Sequence, residues 1–186
     1  REAFARVRLL PKVLVNVAQV DTTVSIFDKK ANLPLAIAPT GGISAGRYGA
    51  ELILARAAKA WGVPFTMATP SAFSIERVAE EVGGRLWYQL YAVRNLEFRE
   101  KLIQRAKNSG YEAILVTVDL PVSGKRERDP RNGFHTPYSP NWRNSRDVIF
   151  KPAWALDMLK NGLPGMANLE GYPFSTPAGT DIVTAV

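Results

Sequence analysis

The chain contains no cysteine, which excludes disulfides, thiolate-bound metals and thiol nucleophiles. It has a single histidine, His135, and no HExxH motif, CxxC pair or histidine–acid cluster, so no metal site is expected. A lone His beside Phe134 and Thr136 reads as structural rather than catalytic. Long apolar runs are missing as well. None approaches the roughly eighteen residues that a membrane-crossing helix needs, and REAFARVRLLPK at the N-terminus lacks the uninterrupted apolar stretch of a secretory leader. Neither G-x-G-x-x-G nor G-x-x-x-x-G-K-[ST] occurs, so the Rossmann and P-loop phosphate cradles are absent.

Acidic residues are in deficit: 17 Asp and Glu stand against 24 Lys and Arg, for a net charge of +7. Between Val122 and Lys151 there are seven basic and three acidic residues. A basic patch can serve nucleic acid, but zinc-finger spacing, an RNP-like motif and a basic helix are all lacking. No nucleic-acid partner is expected. An anionic ligand, an anionic membrane surface or a solvated face fits the patch better.

What the chain does have is a β/α rhythm. Residues 1–32 read as an extended lead-in, with strand character at Val13–Val20 and again at Val24, Ile26 and Phe27. From Leu33 the pattern becomes regular: LPLAIAP as strand, Ala45–Trp61 as helix ended by Gly62, then PFTMAT as strand. Ser74 is placed to cap a helix running to Val82, though Arg at the fourth position makes no full capping box. RLWYQLY is the third strand, Asn95 caps a helix carrying Phe98, Leu102, Ile103 and Ala106, and EAILVTVD is the fourth strand. Such alternation argues for a parallel sheet.

After Asp119 the rhythm breaks. Residues 121–186 hold 8 of the 13 prolines and one convincing helix, Ala153–Lys160. This is too long for an ordinary loop, and it is expected to be an insertion, a lid or a membrane-contacting segment within one domain spanning 1–186. The expected fold is α/β, a (β/α)8 TIM barrel. A complete one takes about 250 residues, so this chain is expected to supply about the first half plus a long loop insertion. The missing initial Met also suggests a chain cut from something longer.

Each strand is followed by polar residues, and strand C-termini are where such barrels carry their chemistry. Pro39-Thr40-Gly41-Gly42 reads either as a cradle that lets a flat ligand approach the backbone or as a tight turn needing glycine. Gln89 and Tyr91 alternate with Leu90 and so share a face. Both polar groups need partners, whether from a ligand or from the protein. Thr117 and Asp119 share a face in the same way. Arg126 lies in a charge run that reads as solvated surface, but its closeness to a strand end suits it to a carboxylate ligand.

The strings LPLAIAPTGG, ARAAKAWGVPF, SIERVAEEVGGRLWYQLY, AILVTVDLPVSGKRERDPRNGF and KPAWALDMLKNGLPGMANL follow one another as in a known family. Over nearly its whole length the chain resembles the FMN-dependent 2-hydroxy-acid dehydrogenases and oxidases. The last string is most similar to the membrane-associated mandelate and L-lactate dehydrogenases.

The resemblance implies that Pro39, Thr40 and Gly41 lie against the flavin ring, and that Gln89 and Thr117 bond its pyrimidine edge. It implies further that Tyr91 contacts the substrate and Arg126 clamps its carboxylate, these two being the expected catalytic residues. Ala68 stands where the family usually has a flavin-contacting Ser, with Thr69 a substitute only if the strand shifts. Gly41 stands where oxidases commonly carry Ala, a lean toward dehydrogenase behaviour.

The resemblance also implies what is lacking here: the proton-abstracting His, a second Arg, a Lys near the flavin and the phosphate loops belong to the C-terminal half. The expected partners are thus a 2-hydroxy-acid substrate, the missing half of the barrel, a membrane surface met through residues 139–174 (Trp142, Trp154, Leu156, Met158 and Leu159 among them) and further copies of the complete protein. The expected location is cytoplasmic, peripheral at the inner face of the membrane. Two other classes compete: a non-catalytic half-barrel subunit that binds flavin or a partner chain, and a basic surface protein that binds nucleic acid.

Overall fold

A computed structural model describes residues 2–118, 127–132 and 148–172. Asp119, Arg126, His135 and Trp142 lie outside the described residues. After a short N-terminal helix α1 (Glu2–Ala5), a long extended segment leads to a two-stranded hairpin, β1 (Val24–Ile26) and β2 (Lys29–Ala31). The hairpin turn is made by Phe27 and Asp28, both at positive φ (51° and 57°), the backbone hand that matches strand twist. Phe27, expected in the strand, is therefore in the turn, and Lys29 and Lys30 form the second strand.

The strand expected at Val13–Val20 does not form. Its valines and Leu14 are exposed, and no neighbouring strand among the described residues offers partners to its backbone.

A parallel sheet follows, in the order β3 (Phe65–Ala68), β4 (Leu86–Tyr91), β5 (Ala113–Thr117). LPLAIAP, expected as the first strand, joins it through a single parallel bridge, Ile37 to Phe65. Ile37 N–H donates to Pro64 O and Thr66 N–H to Ile37 O, at 2.8 and 3.0 Å. With no strand on its other side among the described residues, it does not develop a longer ladder.

Helices α2 (Ala50–Trp61), α3 (Ile75–Glu81) and α4 (Leu96–Asn108) cover one face of the sheet. Leu52, Ala55 and Ala58 of α2, Ile75 and Val78 of α3, and Leu102 and Ala106 of α4 close over Phe65, Met67, Leu86, Tyr88 and Leu90. Burial of these side chains supplies the main driving force for this layer. Helix α2 starts five residues later than expected, because Gly49 takes a left-handed φ of 77° and a separate 3-10 turn occupies Ile43–Ala45. Ser74 and Asn95 cap α3 and α4 as expected, accepting from the N–H groups of Arg77 and Phe98.

The helix-facing side of β5 is left uncovered. Ile114 and Val116, in register with Tyr88 and Leu90, are 36% and 53% exposed. The described elements form an arc of parallel β/α units with helices on its outer face, open at both edges.

The N-terminal end of the arc is closed by the hairpin. Arg85 donates to both carboxylate oxygens of Glu112, at 2.8–3.3 Å, and to the backbone oxygens of Ile26 and Lys29, at 2.8 and 3.3 Å. Lys29 and the Trp87 indole also donate to Glu112. Burial pushes the Glu112 carboxyl up, but these donors outweigh it and hold the group below its ordinary value.

Between helices, Arg105 forks onto Glu76 at 2.6 and 2.8 Å. That hydrogen bonding brings the Glu76 carboxyl down to about 2, from an ordinary 4.5. The lowered value means the pair stabilises the fold fully above pH 4.5, and the contribution is lost as pH falls through about 2. Both side chains are about a third exposed, so solvent screening reduces the worth of the pair to about 1 kcal/mol. Glu76→Gln is expected to lower the unfolding free energy by that amount at pH 7, measured by denaturant unfolding, and to match the parent below pH 2.

The segment after the break carries α5 (Arg128–Arg131), α6 (Pro152–Asn161) and a 3-10 turn (Ala167–Leu169). Helix α6 packs back onto the barrel. The Trp154 indole donates to Ala45 O at 2.8 Å, the Tyr48 N–H donates to Asp157 at 3.1 Å, and Met158 is buried. Trp154 and Met158, expected to meet a membrane, are thus turned toward the protein, whereas Leu156 and Leu159 face outward. No helix among the described residues is long and apolar enough to cross a membrane.

Candidate active site

On the sheet face opposite the helices, alternation places Thr66 and Ala68 of β3, Gln89 and Tyr91 of β4, and Leu115 and Thr117 of β5. Ala68 pairs in register with Gln89, and Tyr91 with Thr117, so the polar residues converge at the C-terminal edge. Gln89 is buried, and its Nε2 donates to the Thr117 hydroxyl at 2.7 Å. Its Oε1 accepts from the Thr69 N–H at 3.2 Å. One Gln89 amide hydrogen and the Thr117 hydroxyl hydrogen then have no partner among the described residues. Tyr91 is half-buried at the same edge.

The Pro39–Gly42 turn lies beside the strand end. Gly42 N–H donates to Pro70 O at 3.1 Å, and a side chain built on Gly41 would meet Pro70 Cγ at 2.6 Å. The absence of a side chain at Gly41 therefore makes room for Pro70. Thr40 and Gly41 are exposed and Pro39 half-buried, so the backbone of this turn remains accessible. Glu51, buried in α2, ties the turn to its neighbour by accepting from the Ser44 hydroxyl and, at 3.3 Å, from the Ala72 N–H. Thr69 stays wholly buried, with its hydroxyl engaged by the end of β4, so it does not take the place of the hydroxyl that Ala68 lacks.

Asn168 was not legible as part of this region. Completely buried, it accepts at Oδ1 from the Ile75 N–H (3.0 Å) and Arg105 (3.4 Å), and donates from Nδ2 to Phe73 O (3.3 Å). It pins the chain after α6 to the loop between β3 and α3. The nearest sequence signal is a polar residue between Ala167 and Leu169 in a stretch with no periodicity. Glu51 had a clearer one, since it shares the helix face of Ala55 and Ala58.

The family model for FMN-dependent dehydrogenases matches residues 1–181. The chain belongs to this family. It is 44% identical over 186 residues to a 4-hydroxymandelate oxidase of Amycolatopsis orientalis, covering 100% of this chain and 50% of that protein. It is 37% identical over 170 residues to an L-lactate dehydrogenase of Pseudomonas entomophila, covering 91% of this chain and 44% of that one. Among solved structures, the crystal structure of the monotopic membrane protein (S)-mandelate dehydrogenase superposes with a TM-score of 0.87 at 36% identity, covering 95% of this chain and 47% of that chain. The chain thus spans about half the length of the relatives it matches. The fold is that of a partial (β/α)8 barrel, and the family's cofactor is FMN.

The donor set fits that cofactor. A flavin's pyrimidine edge presents carbonyl oxygens and ring nitrogens, and here an amide hydrogen and a hydroxyl hydrogen without partners among the described residues lie side by side at a strand end. Ala68, in register with Gln89, contributes only a methyl group beside them.

Proposed function

We propose that this chain forms the N-terminal half of an FMN-dependent enzyme that oxidises a small 2-hydroxy acid, lactate- or mandelate-like, to the 2-keto acid. The observation that carries the reading is the pair of buried Gln89 and half-buried Thr117 on the sheet face opposite the helices, each with a hydrogen that has no partner among the described residues. When bound there, FMN would supply the two-electron acceptor; the protein would position the reactants around it. Gln89 and Thr117 would donate to the flavin's pyrimidine edge, and the Pro39-Thr40-Gly41 backbone would lie along the ring. Tyr91 would hydrogen-bond the substrate at the same edge. Arg126 would pair with its carboxylate, a role that a guanidinium fork suits.

The general base is not among these residues. The site is completed, in this reading, by a further half-barrel covering Ile114 and Val116 and closing both sheet edges. This chain alone would then be inactive. Residues 121–186 would be an insertion into that one domain. The test is anaerobic addition of L-lactate or (S)-mandelate to the flavin-loaded full-length protein. Bleaching of the flavin absorbance is expected, and an unchanged spectrum with both acids would contradict the reading.

We also infer peripheral membrane contact through the outer face of the α6 region. Ile149, Phe150, Leu156, Leu159 and Leu163 are all exposed there, on a chain rich in positive charge. The double variant Leu156→Glu with Leu159→Glu is expected to reduce co-flotation with anionic vesicles by about tenfold, since each loses apolar contact and adds a repelled charge. Flotation equal to the parent would count against membrane contact.

A further inference from the structure

Thr69 lies one residue beyond β3, and its hydroxyl and N–H are directed at the end of β4. Its hydroxyl donates to Gln89 O at 2.6 Å and accepts from the Tyr91 N–H at 3.1 Å. Its own N–H donates to Gln89 Oε1 at 3.2 Å. A backbone N–H can only donate, so the atom of Gln89 that faces it must be the carbonyl oxygen. The amide nitrogen is thereby turned toward Thr117, and its second hydrogen has no partner among the described residues. The register of β3 with β4 ends at Ala68 and Gln89, and from there the Thr69 side chain takes over the pairing that the backbone gives up.

We propose that Thr69 is a positioning residue for the flavin site, holding Gln89 and the Tyr91 backbone so that the Gln89 amide presents a hydrogen, and not an oxygen, to the ring. This rests on the flavin reading above. Thr69 contacts no reacting atom in this arrangement; it acts through Gln89. Without the hydroxyl, the buried Gln89 O and the half-buried Tyr91 N–H would lose their partner, and the strand end would rearrange to recover one. Serine keeps the hydroxyl, whereas valine and alanine remove it, valine with little change in volume.

The test uses the full-length protein stripped of FMN, as parent, Thr69→Ser, Thr69→Val and Thr69→Ala. Two readouts are taken: FMN affinity by quenching of flavin fluorescence, and the Gln89 side-chain amide signals in nitrogen-15 spectra of the flavin-free protein. Thr69→Val and Thr69→Ala are expected to weaken FMN binding about tenfold or more and to shift the Gln89 signals, with Thr69→Ser within about threefold of the parent. Alanine stands in if the valine variant fails to fold. Parent-like FMN affinity in a folded variant without the hydroxyl would overturn the positioning role, as would Gln89 signals that do not move. A parent that binds no FMN would overturn the flavin reading itself, a result distinct from either.

Discussion

Asn168→Leu is expected to lower the stability of the full-length protein by about 3 kcal/mol, because several buried groups lose their partner together. Leucine is similar in size but offers no hydrogen bond. The Ile75 N–H at the start of α3 and the Phe73 carbonyl would both be left unsatisfied in a fully buried position. Arg105 would lose a second acceptor beside Glu76. The loop between β3 and α3, from which Thr69 reaches Gln89, would keep only the Ala167 N–H to Ser71 O bond (3.0 Å) of its ties to the segment after α6. Denaturant unfolding measures the effect. A midpoint within error of the parent would show that Asn168 is incidental to the packing.

Arg85→Ala is expected to cost about 3–5 kcal/mol, the range for removing one partner of a buried ion pair. Arg85 and Glu112 side chains are only 13% and 9% exposed. The guanidinium also satisfies the carbonyls of Ile26 and Lys29, so it fastens the hairpin to the N-terminal ends of the strands. Its loss leaves Glu112 with Lys29 and Trp87 as the remaining donors. Removing both members in Arg85→Met with Glu112→Leu is expected to restore part of the loss, since no uncompensated charge then stays buried. Equal stability of the single variant and the parent would contradict this account.

The β/α alternation was legible because the helices carry apolar residues at helical spacing and end at Gly62, Gly83 and Gly110, each at positive φ. Ser74 and Asn95 were readable as caps for a local chemical reason, their short polar side chains before a helical run. The failures come from pairing at a distance. Val13–Val20 has strand composition, but strand formation depends on a neighbour that composition does not reveal. The same holds for Leu33–Pro39, which has only one side occupied.

At the site, the strand ends marked Gln89, Tyr91 and Thr117 in advance, because alternation alone puts Gln89 and Tyr91 on one face. Their mutual geometry was not legible. The hydrogen bond from Gln89 to Thr117 spans two strands, and the controlling contact comes from Thr69, which drew notice only as a stand-in for a missing serine. Gly41 was read as a choice between ligand cradle and turn; its contact partner, Pro70, lies 29 residues away along the chain and carried no signal. The inward turn of Trp154 was equally hidden, since a tryptophan in a basic, proline-rich stretch suits a membrane surface as well as a protein one.

The C-terminal edge of this sheet is proposed as half of a flavin site organised by Gln89. The most direct measurement is FMN content and affinity of the full-length protein, compared with Gln89→Leu. About one FMN per chain is expected in the parent, with binding weakened by about a hundredfold in the variant, which loses both the amide donor and the hold on Thr117. Equal FMN affinity in the two proteins, with the variant folded, would contradict it.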